Sequence, residues 1–162
     1  MALPPYIQPD LQTWLQKFRF STRIEPRFSE TDAFGHINNV SYFIYFEQGR
    51  LDYFGELKLL DHWSGMERAK SYPVVADLAC DYLQELFFNQ AILLQVRTAS
   101  IGRTSIELEY ALIREADKVL IAAGRGRLVN IDTITKKPTP FSSEFIQLIQ
   151  SYEPEFSSAM IE

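Results

Sequence analysis

The chain is short of several things. It has one cysteine and two histidines among 162 residues, and its apolar residues come only a few at a time. A lone thiol forms no internal disulfide, which fits a reducing compartment. Cys80, set between Leu78 and Tyr82, reads as a packing residue inside a strand and not as a nucleophile. His36, His62 and that cysteine match no zinc or iron spacing, so no metal and no other cofactor is expected. There is no Gly-x-Ser-x-Gly elbow for a serine hydrolase and no Gly-x-x-x-x-Gly-Lys loop for a nucleotide phosphate. No apolar run approaches the ~20 residues that a membrane-spanning helix needs. The start, Met-Ala-Leu-Pro-Pro, lacks the basic and apolar regions of a signal peptide. A soluble cytoplasmic protein is the expectation. Positive charge is also scarce: 16 Lys and Arg against 21 Asp and Glu leave a net charge of -5. The basic residues are scattered, which argues against a nucleic-acid partner, although one basic side chain is enough to hold a single phosphate.

What is present is apolar residue content of 46%, enough for one compact domain with a substantial core. From Gln8 to Phe18, Leu11, Trp14, Leu15 and Phe18 recur at helical spacing after Pro9, predicting an accessory helix within residues 1–19. A patchy alternation from Phe18 to Phe28, broken by Pro26, predicts an edge or bulged strand. Val40 to Phe54 repeats apolar residues on most sides of a helix, with Asn38 or Asn39 as N-cap and Gly55 as the residue that ends it. Such a helix is expected to be buried. The mixed segment from Glu56 to Ser71, anchored by Leu57, Leu59, Leu60 and Trp63, predicts a short helix and a loop.

The period then changes to two. Tyr72 to Leu86, Ile92 to Ile101, Ser105 to Ile113 and Val119 to Ile131 predict four strands. The middle two are joined by a two-residue hairpin at Gly102-Arg103, and the next pair by Glu115 to Lys118. A Pro-bearing loop follows, then a helix capped by Ser142 or Ser143, and a frayed tail over residues 153–162. An edge strand, a long helix and four antiparallel strands make an α+β hotdog arrangement over residues 20–152. Its open strand edges predict pairing with a second copy, as a homodimer or homotetramer.

The most informative stretch is Glu30-Thr-Asp-Ala-Phe-Gly-His-Ile-Asn-Asn39, followed by Tyr42 and Glu47-x-x-Arg50. It resembles the signature of hotdog acyl-CoA thioesterases related to 4-hydroxybenzoyl-CoA thioesterase, in the subgroup with Asp-x-x-Gly-His-Val-Asn-Asn. The resemblance runs from about Arg23 to Ile149. It implies hydrolysis of an acyl-CoA to a free acid and CoA, with Asp32 as general base or nucleophile and the N-H of Asn39 as donor to the thioester oxygen. It also implies that Arg103, Thr104 and Ser105 lie where relatives contact the nucleotide end of CoA. Gly35 and Tyr42 join them as expected substrate-binding residues.

The chemistry is consistent with few groups. A thiolate whose conjugate acid has a pKa of about 8.5 leaves with little help, so catalysis falls on attack and on the oxyanion. A carboxylate supplies the first and helix N-terminal amides, here Ile37 through Val40, supply the second. Asp32 has an ordinary turn-forming role as its other reading. His36 either orients Asp32 or a water, or fixes the local backbone. Glu47 is a second catalytic carboxylate or an ion-pair partner of Arg50 on the same helix. Three other readings share the fold: an acyl-ACP thioesterase, a non-catalytic acyl-binding protein, and an enoyl-CoA hydratase, whose motif needs an Asn-Pro absent here.

Overall fold

The structure, a computed structural model, describes residues 3–62 and 69–153. Trp63 and the tail from Pro154 lie outside the described residues. The order is α1 (Leu11–Gln16), β1 (Phe20–Ile24), α2 (Asn39–Glu56), β2 (Ser71–Tyr82), β3 (Ile92–Ile101), β4 (Ser105–Arg114), β5 (Leu120–Asp132) and α3 (Ser143–Tyr152). The five strands form one antiparallel sheet in the order β1-β3-β4-β5-β2. This is the hotdog arrangement, with β1 and β2 at the two edges. Pro26 follows the edge strand β1, where a missing N-H costs no ladder bond.

Strand alternation sends side chains to two faces, and each face gains a cover. The inner face holds Leu94, Val96, Leu108 and Leu112 against Phe46 and Tyr53 of α2. The helix sits close to β3 because position 49 is glycine: a Cβ there would collide with the side chain of Leu94. The outer face is covered by the N-terminal segment, whose Ile7, Trp14 and Phe18 pack on Ala111, Ile113 and Leu120. Trp14 also donates its indole N-H to Glu109 at 2.7 Å, and Glu109 pairs with Arg97 at 2.8 Å. No helix among the described residues is long and apolar enough to cross a membrane.

Several expectations change. The first helix covers only Leu11–Gln16, because Asp10 caps it by accepting from the Thr13 N-H. Gly55 lies inside α2, and the left-handed residue after the helix is Lys58 at φ 58°. The turn after β3 is longer than two residues: Gly102 N-H donates to Ser105 C=O at 2.7 Å, and the ladder resumes at Ile101 opposite Ile106. In β2 the register shifts between Val75 and Asp77, so the alternation breaks at Ala76, and the strand ends at Tyr82, short of Leu86. Nor is α2 wrapped on most sides. Val40, Ile44 and Leu51 stay 59%, 48% and 44% exposed, because a single sheet covers one face of a helix.

Candidate active site

The segment between β1 and α2 is a closed loop. At its base Glu30 C=O accepts the Asn38 N-H at 2.8 Å, and Thr31 bridges Ile37. Within it, Asp32 N-H donates to His36 C=O at 2.8 Å and Gly35 N-H to Asp32 C=O at 3.1 Å. Gly35 turns the corner at φ 84°, a region that side chains disfavour. The Asp32 carboxylate is held by one oxygen. Its Oδ1 accepts from Phe34 N-H at 2.8 Å and His36 N-H at 3.2 Å, while its Oδ2 takes no hydrogen bond among the described residues. The turn-forming role and an available oxygen therefore coexist in one side chain.

The start of α2 narrows the choice of donor. Ile37 N-H goes to Leu86 C=O at 2.7 Å and Asn38 N-H to Glu30 C=O. Val40 N-H goes to Asn38 Oδ1 at 2.9 Å, making Asn38 the N-cap, and Ser41 N-H goes to Asn38 C=O at 3.0 Å. Among the described residues, that leaves the Asn39 N-H as the one amide of residues 37–41 without a partner. It lies at the positive end of an 18-residue helix. The Asn39 carbonyl is fixed by the Tyr82 hydroxyl, which donates to it at 2.9 Å.

His36 helps to close the loop through the bonds of its backbone with Asp32. Its ring turns away to Glu85, 3.5 Å from the imidazole, and packs edge-on against Phe87 at 5.2 Å. Beside these contacts opens a cavity of about 410 Å³ lined by Tyr82, Leu83, Gln84, Glu85, Phe87 and Arg114. Phe28, Phe34 and Phe88 stand exposed around the same loop, with Phe28 and Phe88 in edge contact at 5.4 Å. Under the loop, Glu30 is buried. Its Oε2 accepts from Arg27 N-H at 2.8 Å and Tyr45 O-H at 2.7 Å, and its Oε1 from the Arg27 guanidinium at 2.7 Å. Burial pushes this carboxyl upward, but the Arg27 amide, the Tyr45 hydroxyl and the guanidinium outweigh it and hold the group below its ordinary range.

Of the other sequence-derived residues Tyr42 stays beside the site, and the rest disperse. Tyr42 is 3% exposed, packed edge-on against Tyr82 at 4.9 Å, and burial pushes its phenol upward. Glu47 is exposed on α2, eight residues or ~12 Å along the axis from Asn39. The described ion pairs do not include Glu47 with Arg50; Arg50 reaches toward the Tyr110 hydroxyl at 3.5 Å instead. Arg103, Thr104 and Ser105 turn at the other end of the sheet, beyond Ile101, whereas the motif loop lies by the Ile92 end. Ten residues of strand, ~33 Å, separate the two ends. Among the described residues no group of three or more His, Cys, Asp or Glu gathers as a metal site. The sequence reading missed Tyr82, Glu85, Leu86 and the roles of Glu30 and Tyr45. Glu30 opens the motif and was within reach; the residues after β2 carry no local signal.

A family model described as the thioesterase-like superfamily matches residues 26–149. The uncharacterised protein YsmA of Bacillus subtilis (strain 168) is 40% identical over 110 residues, 68% of this chain and 71% of its own. The DHNA-CoA thioesterase of Staphylococcus aureus has 25% identity and a TM-score of 0.73, covering 88% of this chain and 97% of its own. A thioesterase from Thermus thermophilus, solved with coenzyme A and Zn, has 26% identity and a TM-score of 0.71, covering 86% and 98%.

Proposed function

The chain belongs to the thioesterase-like superfamily of hotdog proteins and is a thioester hydrolase by class; on that premise we propose that it cleaves an acyl-CoA to a free carboxylic acid and CoA. The observation that carries the mechanism is that an acceptor and a donor in the motif, Asp32 Oδ2 and the Asn39 N-H, both take no hydrogen bond among the described residues. In the general-base form, Oδ2 takes a proton from water as the water oxygen adds to the thioester carbon. The carbonyl oxygen becomes an oxyanion facing the Asn39 N-H, where the helix dipole and a preorganised donor favour it. Collapse breaks the C-S bond, and the departing thiolate takes its proton from Asp32 or solvent. In the nucleophilic form, Oδ2 itself adds, the thiolate leaves, and water hydrolyses the resulting anhydride. Either form works without a metal or prosthetic group. The exposed rings of Phe28, Phe34 and Phe88 suit an apolar acyl chain or ring.

The proposed active form is a homodimer. Edge strand β2 leaves Val74 and Val75 exposed, and α2 leaves Val40, Ile44 and Leu51 uncovered. Both are features a second copy would bury. Antiparallel pairing of β2 with its counterpart would also carry the hairpin end of one sheet toward the loop end of the other. Arg103, ~33 Å of strand away from the motif loop of its own chain, would then serve a CoA phosphate. Sedimentation at micromolar concentration is expected to give a dimer or a multiple of it; a monomer removes this part of the proposal.

The mechanism is tested by Asn39→Pro. Proline is well tolerated at the first helical position, and Asn38 already has φ -58° and ψ 139°, which suits a residue before proline. The substitution deletes the donor together with the exposed Asn39 carboxamide, which makes no hydrogen bond among the described residues. Free CoA is trapped as it is released from acetyl-, hexanoyl-, palmitoyl- and benzoyl-CoA, with an acyl-ACP as the carrier control. Loss of one oxyanion donor is expected to lower kcat about 100-fold or more, with thermal stability nearly unchanged. Wild-type kcat in Asn39→Pro would sink the oxyanion assignment, and no CoA release from the wild-type protein would sink the activity.

A further inference from the structure

Glu30 does more than fill space under the loop. It is bonded to three pieces of the site at once. Its carbonyl closes the loop by accepting the Asn38 N-H at 2.8 Å. One carboxylate oxygen joins the Tyr45 hydroxyl of α2 at 2.7 Å and the Arg27 N-H at 2.8 Å. The other takes the Arg27 guanidinium, with bonds of 3.0 Å from Nε and 2.7 Å from Nη2. Asp32 stands two residues after Glu30, and Asn39 directly follows the Asn38 that Glu30 holds. Tyr45 lies on α2 beyond Asn39, so the helix whose first amide is the proposed oxyanion donor is tied by its own side chain to the base of the Asp32 loop.

A carboxylate with every nearby donor engaged and its charge matched by an arginine is unsuited to proton transfer; it is suited to holding parts in register. We infer that Glu30, acting with Tyr45, is a positioning residue that sets where Asp32 Oδ2 lies relative to the Asn39 N-H. The inference rests on the reading of those two groups as base or nucleophile and oxyanion donor. It assigns Glu30 no contact with substrate. The predicted consequence follows from geometry: loosening the strut changes the distance from nucleophile to oxyanion donor, which affects the transition state, while the surfaces that bind the acyl and CoA parts stay as they are.

The test uses the full chain and whichever of palmitoyl-CoA or benzoyl-CoA the wild-type protein cleaves faster. Glu30→Gln keeps the shape but replaces one acceptor oxygen by an NH₂ donor; Tyr45→Phe removes only the hydroxyl. A displacement of the order of 1 Å can cost about 100-fold in rate, and partial loosening should cost about 10-fold. Each variant is expected to lose about 10-fold in kcat with KM within about twofold of the wild-type value, measured well below its melting temperature. Glu30→Gln with Tyr45→Phe should be little worse than either alone, since both cut one strut. The inference is overturned if both single variants keep wild-type kcat, if the loss appears in KM alone, or if the two losses multiply. Asp32→Asn run alongside separates the two levels. If it retains full activity, the reading of the site has failed; if it is inactive while Glu30→Gln and Tyr45→Phe are unimpaired, only the positioning role has failed.

Discussion

The two ends of α2 are built to opposite rules. At its N-terminus many polar groups are spent on closing the motif loop, while Asp32 Oδ2 and the Asn39 N-H, near the surface, take no hydrogen bond among the described residues. Toward its C-terminus the polar groups are paired. Tyr53 is fully buried, and its hydroxyl donates to Glu153 at 2.8 Å, meets Thr98 Oγ1 at 3.0 Å and accepts the Thr98 N-H at 3.3 Å. That N-H is available because β1 begins only at Phe20, opposite Val96, and does not reach Thr98, and because the β3 register shifts between Thr98 and Ser100. Glu153 follows α3 and ties that helix to the node. Unpaired polar groups are costly when buried and tolerable at the surface, so the fold keeps these two at the end it leaves open. On the proposed mechanism one end of the helix serves the chemistry and the other is an anchor.

The sharpest way to break this contrast is to strike both ends and compare readouts. Asp32→Asn retains an amide oxygen that can accept from the Phe34 and His36 N-H groups and so keep the turn, but it cannot take a proton or attack. Its rate is expected to fall by about 1,000-fold with the melting temperature little changed. Tyr53→Phe at the other end should do the reverse, costing about 1–3 kcal/mol in denaturant unfolding while activity per folded molecule stays near wild type. If Tyr53→Phe lowers kcat as much as Asp32→Asn does, the division of labour is wrong.

A smaller effect concerns pH. Burial pushes the Glu153 carboxyl above its ordinary range, against the hydrogen bonds from Tyr53 and the Thr98 N-H that favour its charged form. A carboxyl whose folded pKa is raised favours folding fully below its unfolded pKa, and that contribution is lost as pH rises through the folded value. The wild-type protein should therefore lose stability relative to Glu153→Gln as pH is raised from about 4 upward. Parallel stability curves for the two proteins over that window would remove the buried-acid account of the anchor.

How much of this was legible beforehand depends on the range of the contacts. The four long strands were found to within a few residues, because an alternating pattern reports a sheet face directly. The motif loop was readable because its bonds connect residues a few positions apart: Asp32 with Phe34 and His36, Asn38 with Val40, Gly35 at positive φ. Gly55 misled, since a glycine near a helix end need not be the residue that ends it, and Lys58 took the left-handed position instead. The apolar residues around α2 implied burial on most sides, yet one chain supplies a cover for only one. Glu47 with Arg50 had the right spacing for a pair, but the guanidinium found the buried Tyr110 hydroxyl across the core.

The sequence by itself determined the class of fold and the family, and it named the residues proposed to carry chemistry, because propensity, period and a contiguous motif are short-range properties. Only the tertiary structure decided which of the helix-start amides remains available. Leu86 lies 49 positions beyond Ile37, and Tyr82 lies 43 beyond Asn39. Such bonds form once strand register brings β2 beside the start of α2, and no local pattern in either segment encodes their meeting.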